Sequence, residues 1–124
     1  AMSFDHFNIS ARLELLERVR NFYCDVLGFK EGFRPSFGRK GYWLYQGDKP
    51  LIHLIESNDH SPGDKQTCLD HVAFRTNGLE AIKQHLNAHE VPFRASFIQE
   101  FELTQLFFKD PAGTGLEVNF LGEH

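Results

Sequence analysis

The sequence predicts an α+β fold made of two βαβββ modules in one chain, whose sheets together form a concave half-barrel cleft. Three observations carry this expectation. The stretch Phe4-Asp5-His6-Phe7-Asn8-Ile9 returns as Leu69-Asp70-His71-Val72-Ala73-Phe74, and such self-similarity is the signature of a duplicated unit. The run from Trp43 to Leu54 parallels that from Phe107 to Val118: an aromatic strand, a turn of Gly, Pro and Asp, then an apolar strand holding one metal-competent side chain. Between these ends, each copy carries apolar residues at helical spacing. The offsets agree, 65 residues from His6 to His71 and 64 from His53 to Glu117.

Each element follows from its residues. Positions 4–9 alternate Phe4, His6 and Asn8 against Asp5, Phe7 and Ile9, as a short strand does. Ser10 is the expected N-cap of a helix in which Leu15, Leu16, Val19, Phe22, Tyr23, Val26 and Leu27 recur at helical spacing. Gly28 ends that helix in the left-handed conformation. Strands over 29–33, 41–46 and 51–56 complete module 1 (4–56), separated by turn chemistry from Pro35 to Gly38 and from Gly47 to Pro50. The polar, aperiodic residues 57–67 form a linker. Module 2 (68–120) opens with a strand over 68–75. Asn77, with Glu80 three residues on, is a variant capping box. Leu79, Ile82 and Leu86 give the buried stripe of the second helix, and Pro92 follows its end. Strands near 93–98, 103–109 and 115–120 finish the module, with Asp110 to Gly113 as the last turn. The whole, 2–124, reads as a single domain, with Ala1 set aside as a tag remnant.

At 124 residues the chain can bury a real hydrophobic core. A net charge of −4 and the lack of any Lys/Arg run argue against nucleic acid as a partner. No apolar run reaches the length of a membrane span and no leader pattern is present, so a cytoplasmic protein without a membrane partner is expected. Cys24 and Cys68 stand at non-equivalent places in the two copies. They make neither a disulfide framework nor a paired zinc motif, and both read as reduced core thiols. The 13 Phe residues suggest an aromatic-rich core or an apolar ligand cleft, core being the commoner use.

Alternation assigns the strand faces. In the last strand Leu116, Val118 and Phe120 form the buried set, which turns Gly115, Glu117 and Asn119 the other way. Ile52 and Leu54 face the helix and His53 faces away, while Phe7, Ile9, Val72 and Phe74 join the helix side. His6, His53, His71 and Glu117 therefore all fall on the concave faces, at equivalent places in the two copies. Imidazoles and a carboxylate so grouped suit one divalent transition metal (Fe, Mn, Ni, Co or Zn), with positions left for two substrate oxygens. His53 is either a fourth ligand or an unligated acid–base group. Trp43, Gln105 and Phe107 fall on the same faces as candidate substrate contacts, and Arg94 is placed to meet an anionic substrate. Asp5 and Asp70 fall on the opposite faces and are expected to serve turns or surface. His60 in the linker, His85 and His89 on the outer face of the second helix, and His124 in the tail read as surface residues.

On Asp5-His6, on the run from Asn21 to Phe29, on Leu69 to Phe74 and on Phe108 to Gly113 followed by Leu116-Glu117, the chain resembles the vicinal oxygen chelate superfamily. That superfamily comprises glyoxalase I, bleomycin-resistance proteins, fosfomycin-resistance enzymes and extradiol ring-cleavage dioxygenases, and the resemblance covers essentially the whole chain. It implies a metal held by His6, His53, His71 and Glu117, and of these His53 and Glu117 are the expected catalytic residues. Glyoxalase I carries Glu where His53 stands and uses two metal-flanking carboxylates, of which only Glu117 is present here. Methylmalonyl-CoA epimerases have Gln at that place. Extradiol and fosfomycin-modifying enzymes use two His and one Glu, which His6, His71 and Glu117 supply, although most ring-cleaving dioxygenases are longer. The resemblance also implies a homodimer, with His6 and His53 of one chain joining His71 and Glu117 of the other. The function expected is thus a metal-dependent enzyme acting on a small oxygen-rich molecule. Its alternative is a metal-free protein that sequesters a small molecule, as bleomycin-resistance relatives do. A structural domain with a vestigial site is a third reading.

Overall fold

A computed structural model describes residues 2–36, 38–60 and 68–124. The chain divides into two compact units, Ala1–Pro62 and Gly63–His124. Unit 1 contains β1 (Phe7–Ala11), α1 (Leu13–Asp25), β2 (Lys30–Gly32), β3 (Gly41–Gln46) and β4 (Lys49–Glu56). Unit 2 contains β5 (His71–Arg75), α2 (Leu79–Ala88), β6 (Arg94–Ile98), β7 (Leu103–Lys109) and β8 (Gly115–Leu121), with a 3-10 turn at Gln99–Phe101. Each unit is one βαβββ module, and the expected α+β class and duplication hold. The sheets are ordered β1-β4-β3-β2 and β5-β8-β7-β6. In both, the first strand lies parallel to the last, and the remaining pairs are antiparallel. Parallel neighbours cannot be joined by a tight turn. The helix and two hairpins occupy the intervening chain instead.

In unit 1, Leu16, Val19, Phe22 and Tyr23 are the buried face of α1, which packs on the strands of its own sheet. Tyr23, Leu44, Ile52 and Leu54 are fully buried. Tyr23 meets Phe22 and Phe29 edge to face, with ring centroids 5.4 and 5.7 Å apart. In unit 2 the core is Leu79, Leu86, Leu106, Phe108, Leu116, Val118 and Phe120. Burying such a side chain contributes about 1.5–3 kcal/mol. The alternation expected in the last strand is present: Leu116, Val118 and Phe120 are buried, while Gly115, Glu117 and Asn119 face the other way. Gly28 has φ +76° and Phe29 N–H reaches back to Tyr23 O at 3.0 Å, a Schellman-type closure of α1. Among the described phenylalanines only Phe22, Phe29, Phe108 and Phe120 belong to the core, whereas Phe4, Phe33, Phe97 and Phe101 are exposed. The aromatic content is therefore not mainly a core feature.

Both expected helix caps are corrected. Ser10 lies inside β1, paired with Ile55, and its Oγ accepts from Asn8 Nδ2 at 2.9 Å. The parallel ladder extends to Ala11, so Arg12 becomes the N-cap, without a side-chain cap. Asn77 does not cap α2 either. Gly78 takes that place at φ +92°, and the Glu123 carboxylate accepts from Gly78 N–H and Leu79 N–H, both at 3.0 Å. A carboxylate on exposed helix N–H groups suits the helix dipole. Gly122 at φ +76° turns the chain toward α2, and Thr104 Oγ1 donates to the Glu123 carbonyl. The strands also start later than expected, at Phe7 and His71, which puts His6 just outside its ladder and His71 first in its own. Linker residues 57–60 begin as a turn, Ser57 Oγ accepting from Asp59 N–H. Linker residues 61–67 lie outside the described residues. No helix among the described residues is long and apolar enough to cross a membrane.

The cap is testable. Glu123→Ala is expected to lower unfolding free energy by about 1 kcal/mol, and Glu123→Gln, which keeps an acceptor, by less. Urea denaturation midpoints at constant m-value measure both.

Candidate functional site

The donors sit in the same register in the two modules. On the last strands, His53 pairs with Asn8 and Glu117 pairs with Ala73. His6 and His71 each stand two residues before that partner. The structure brings the candidates together in pairs, His6 with His53 in unit 1 and His71 with Glu117 in unit 2. Among the described residues no group of three or more His, Cys, Asp or Glu is gathered in metal-holding geometry.

In unit 2, His71 Nδ1 lies 2.9 Å from Asp70 Oδ2 and Nε2 lies 3.3 Å from Glu117 Oε1. An ionised carboxylate only accepts, so Nδ1 carries the proton toward Asp70, and the neutral ring has its lone pair on Nε2. That lone pair faces an oxygen lone pair. A cation between the two relieves the opposition, whether a second proton on the ring or a metal ion. The hydrogen bond to Asp70, with the charge of Glu117 behind it, accordingly holds the His71 pKa above the ordinary imidazole range. Two cis ligands at about 2.1 Å from one metal stand about 3.0–3.4 Å apart between octahedral and tetrahedral angles. The observed Nε2–Oε1 separation matches.

Glu117 is held for one use. Its Oε2 accepts from Gln105 Nε2 at 3.1 Å and from Asn119 Nδ2 at 2.8 Å, which leaves Oε1 toward His71. Gln105 is thereby engaged with Glu117, and its own Oε1 accepts from Ser96 Oγ at 3.2 Å. Phe107 is paired with Glu117 across β7 and β8, and Arg94 lies 4.4 Å over the Phe107 ring. All the unit 2 candidates thus share one sheet face. Asn119 adds a residue not singled out from sequence: its Oδ1 is buried without a hydrogen-bond partner among the described residues. Its position two residues beyond Glu117 on that face was the available signal. Gly115 pairs with His71, and a Cβ there would stand 2.5 Å from Asp70 O and 3.2 Å from His71 Cβ. Glycine is what admits the Asp70-His71 backbone against β8.

Unit 1 arranges its imidazoles differently. His53 is sandwiched, its ring centroid 3.7 Å from His6 and 4.0 Å from Trp43, with interplanar angles of 11° and 12°. Its Nε2–H donates to Pro50 O at 3.1 Å, so the neutral ring has its lone pair on Nδ1. Burial first, then the charge of His6, lowers the His53 pKa. His6 Nδ1 lies 2.5 Å from Asp5 Oδ2, repeating the Asp70-His71 contact. Asp5 and Asp70 are exposed, as expected of surface residues, and each is also the ring partner of the next histidine. Both stand ahead of their ladders, where strand alternation does not yet separate neighbouring side chains.

The remaining assignments divide. His85 and His89 are exposed on α2, His89 Nδ1–H donating to His85 O. His60 is exposed and bonds Ser57 Oγ at 2.8 Å, and His124 lies beside Phe97. Cys24 and Cys68 form no disulfide, but the core assignment fails for Cys68, which is exposed ahead of β5, and Cys24 is only half-buried. Burial, then the charge of Asp25, raises the Cys24 thiol pKa. A cavity of about 320 Å³ in unit 1 is lined by Arg39, Glu56, Ser57, Asn58 and Asp59, none of them a candidate.

The chain belongs to the Glyoxalase/Bleomycin resistance protein/Dioxygenase superfamily, whose family model matches residues 3–118. It is 29% identical over 106 residues to the uncharacterized protein YaeR of Escherichia coli K12, covering 78% of this chain and 81% of that one. A glyoxylase/bleomycin resistance protein/dioxygenase domain from Frankia sp. EAN1pec superposes with a TM-score of 0.78 at 19% identity, over 98% of both chains. The fosfomycin resistance protein FosX from Mesorhizobium loti superposes with a TM-score of 0.72 at 14% identity, over 97% of this chain and 92% of that one. These structural likenesses show the fold.

In metal-free protein the imidazoles are expected to titrate in a fixed order. As pH falls, His71 takes its proton before His53, the first above the ordinary imidazole range and the second below it. Ring resonances followed by NMR against pH check the order.

Proposed function

We propose that this chain is a metal-dependent enzyme that acts on a small oxygen-rich molecule, binding it by two oxygens to one divalent transition metal. The ligands are His6, His71 and Glu117, with His53 as a fourth ligand or as an acid–base group. The observation that supports this most is His71 Nε2 opposed to Glu117 Oε1 at 3.3 Å, each with its other polar atom already engaged. The donor types suit Fe, Mn, Co, Ni or Zn. When bound, such an ion supplies Lewis acidity to adjacent substrate oxygens. The chain's own groups do the rest. Glu117 is oriented by Gln105 and Asn119, which both donate to its Oε2. His53, its Nε2–H committed to Pro50 O, offers the Nδ1 lone pair either to a proton or to the metal. Trp43 and Phe107 supply apolar surface, and Arg94 supplies positive charge for an anionic substituent.

The second reading is metal-free sequestration of a small molecule. It is favoured by the face-to-face stack of His6 on His53, in which the two rings do not converge by their edges.

Metal content by mass spectrometry, after chelation and reconstitution, separates the two. About one ion per chain is expected in the unmodified protein. His71→Ala is expected to lose more affinity than the roughly 10- to 100-fold typical of removing an outer partner. Iron would direct substrate screening to ring cleavage, and nickel, zinc, cobalt or manganese to isomerase, lyase or transferase chemistry. Protein that stays metal-free through reconstitution would move the assignment to sequestration.

A further inference from the structure

We propose that Asp5 and Asp70 are positioning residues, one per module, that hold His6 and His71 with the proton on Nδ1 and so present each Nε2 as a metal ligand. The inference rests on the metal-binding reading above and extends it from the ligands to the groups that orient them.

The contact occurs twice, on the two imidazoles that head the duplicated strands. Asp5 Oδ2 meets His6 Nδ1 at 2.5 Å and Asp70 Oδ2 meets His71 Nδ1 at 2.9 Å. Burial does not force either pairing, since the two carboxylate side chains are 89% and 65% exposed. The same ring contact in both modules is therefore set by the local backbone and by charge rather than by burial. Metal-bound imidazoles typically donate their second N–H to a carboxylate, which fixes tautomer and ring angle and makes the ligating nitrogen more basic. In both modules the backbone ahead of the ladder lets Asp swing onto the next residue's ring. In module 2 the glycine opposite His71 leaves the room that placement needs.

The test reads the rings directly. In metal-free protein labelled with 15N-histidine, at a pH above the titration of both rings, long-range 1H–15N spectra show which nitrogen carries the proton. His6 and His71 are expected as Nδ1–H. Asp5→Ala should move only His6 toward Nε2–H, and Asp70→Ala only His71. Asp70→Asn, which keeps an acceptor oxygen, should retain Nδ1–H. Zn²⁺ affinity, by competition with a chromophoric chelator, should fall about 10- to 100-fold in Asp70→Ala, and less in Asp70→Asn. Rings already Nε2–H in the unmodified protein, or unmoved by the alanine changes, overturn the inference. The spectra need no metal, so this failure is distinct from failure of the metal reading. If the unmodified protein takes up none of Zn²⁺, Ni²⁺, Co²⁺, Mn²⁺ or Fe²⁺, that reading falls and the ligand role of Nε2 falls with it.

Discussion

In each module the first strand lies parallel to the last, and this pairing places the chemistry. Two parallel strands side by side align residues that are about 45 positions apart in the chain, Asn8 with His53 and Ala73 with Glu117. With side chains alternating across the sheet, one register puts the apolar residues of both strands against the helix and the donors on the other face. A slip of one residue would reverse every one of these assignments. The same ladder that buries Ile52, Leu54, Leu116 and Val118 therefore also sets where His53 and Glu117 point. Stability and site share one set of backbone hydrogen bonds.

The two modules use equivalent positions for different electrostatic ends. Module 2 opposes an imidazole lone pair to a carboxylate oxygen and pins the rest of each group, an arrangement that calls for positive charge. Module 1 stacks two imidazoles on an indole and ties one, His53, to a carbonyl, and burial there disfavours its charged form. Duplication supplied the frame. His53 stands where module 2 has Glu117, so one frame holds an acidic, cation-seeking half and an aromatic half.

Much of this was legible in the sequence, because period-2 alternation and a repeated stretch are local signals. Leu116, Val118 and Phe120 against Glu117, the α1 stripe, and the left-handed Gly28 all follow from neighbours a few residues away. The helix caps were not legible in the same way. Ser10 has cap chemistry, but the parallel ladder claims it. Asn77 is displaced by Glu123, which reaches α2 from 44 residues further along the chain, and no local pattern announces such a contact. Asp5 and Asp70 lie at the surface as alternation suggests, but their ring contacts are not legible from it, because alternation does not hold ahead of the ladders. Exposure of Cys68 has the same origin, since the strand it was assigned to begins only at His71.

The aromatic sandwich in module 1 has an optical consequence. Trp43 is the chain's single tryptophan, and its indole lies flat on His53, with His6 on the far side of that ring. A charged imidazole in contact with an excited indole draws its emission down, whereas a neutral one does so far less. The protein thus carries one indole, placed by its own strand register against the donors of module 1. Its light output follows the charge state of that half of the molecule without any added label.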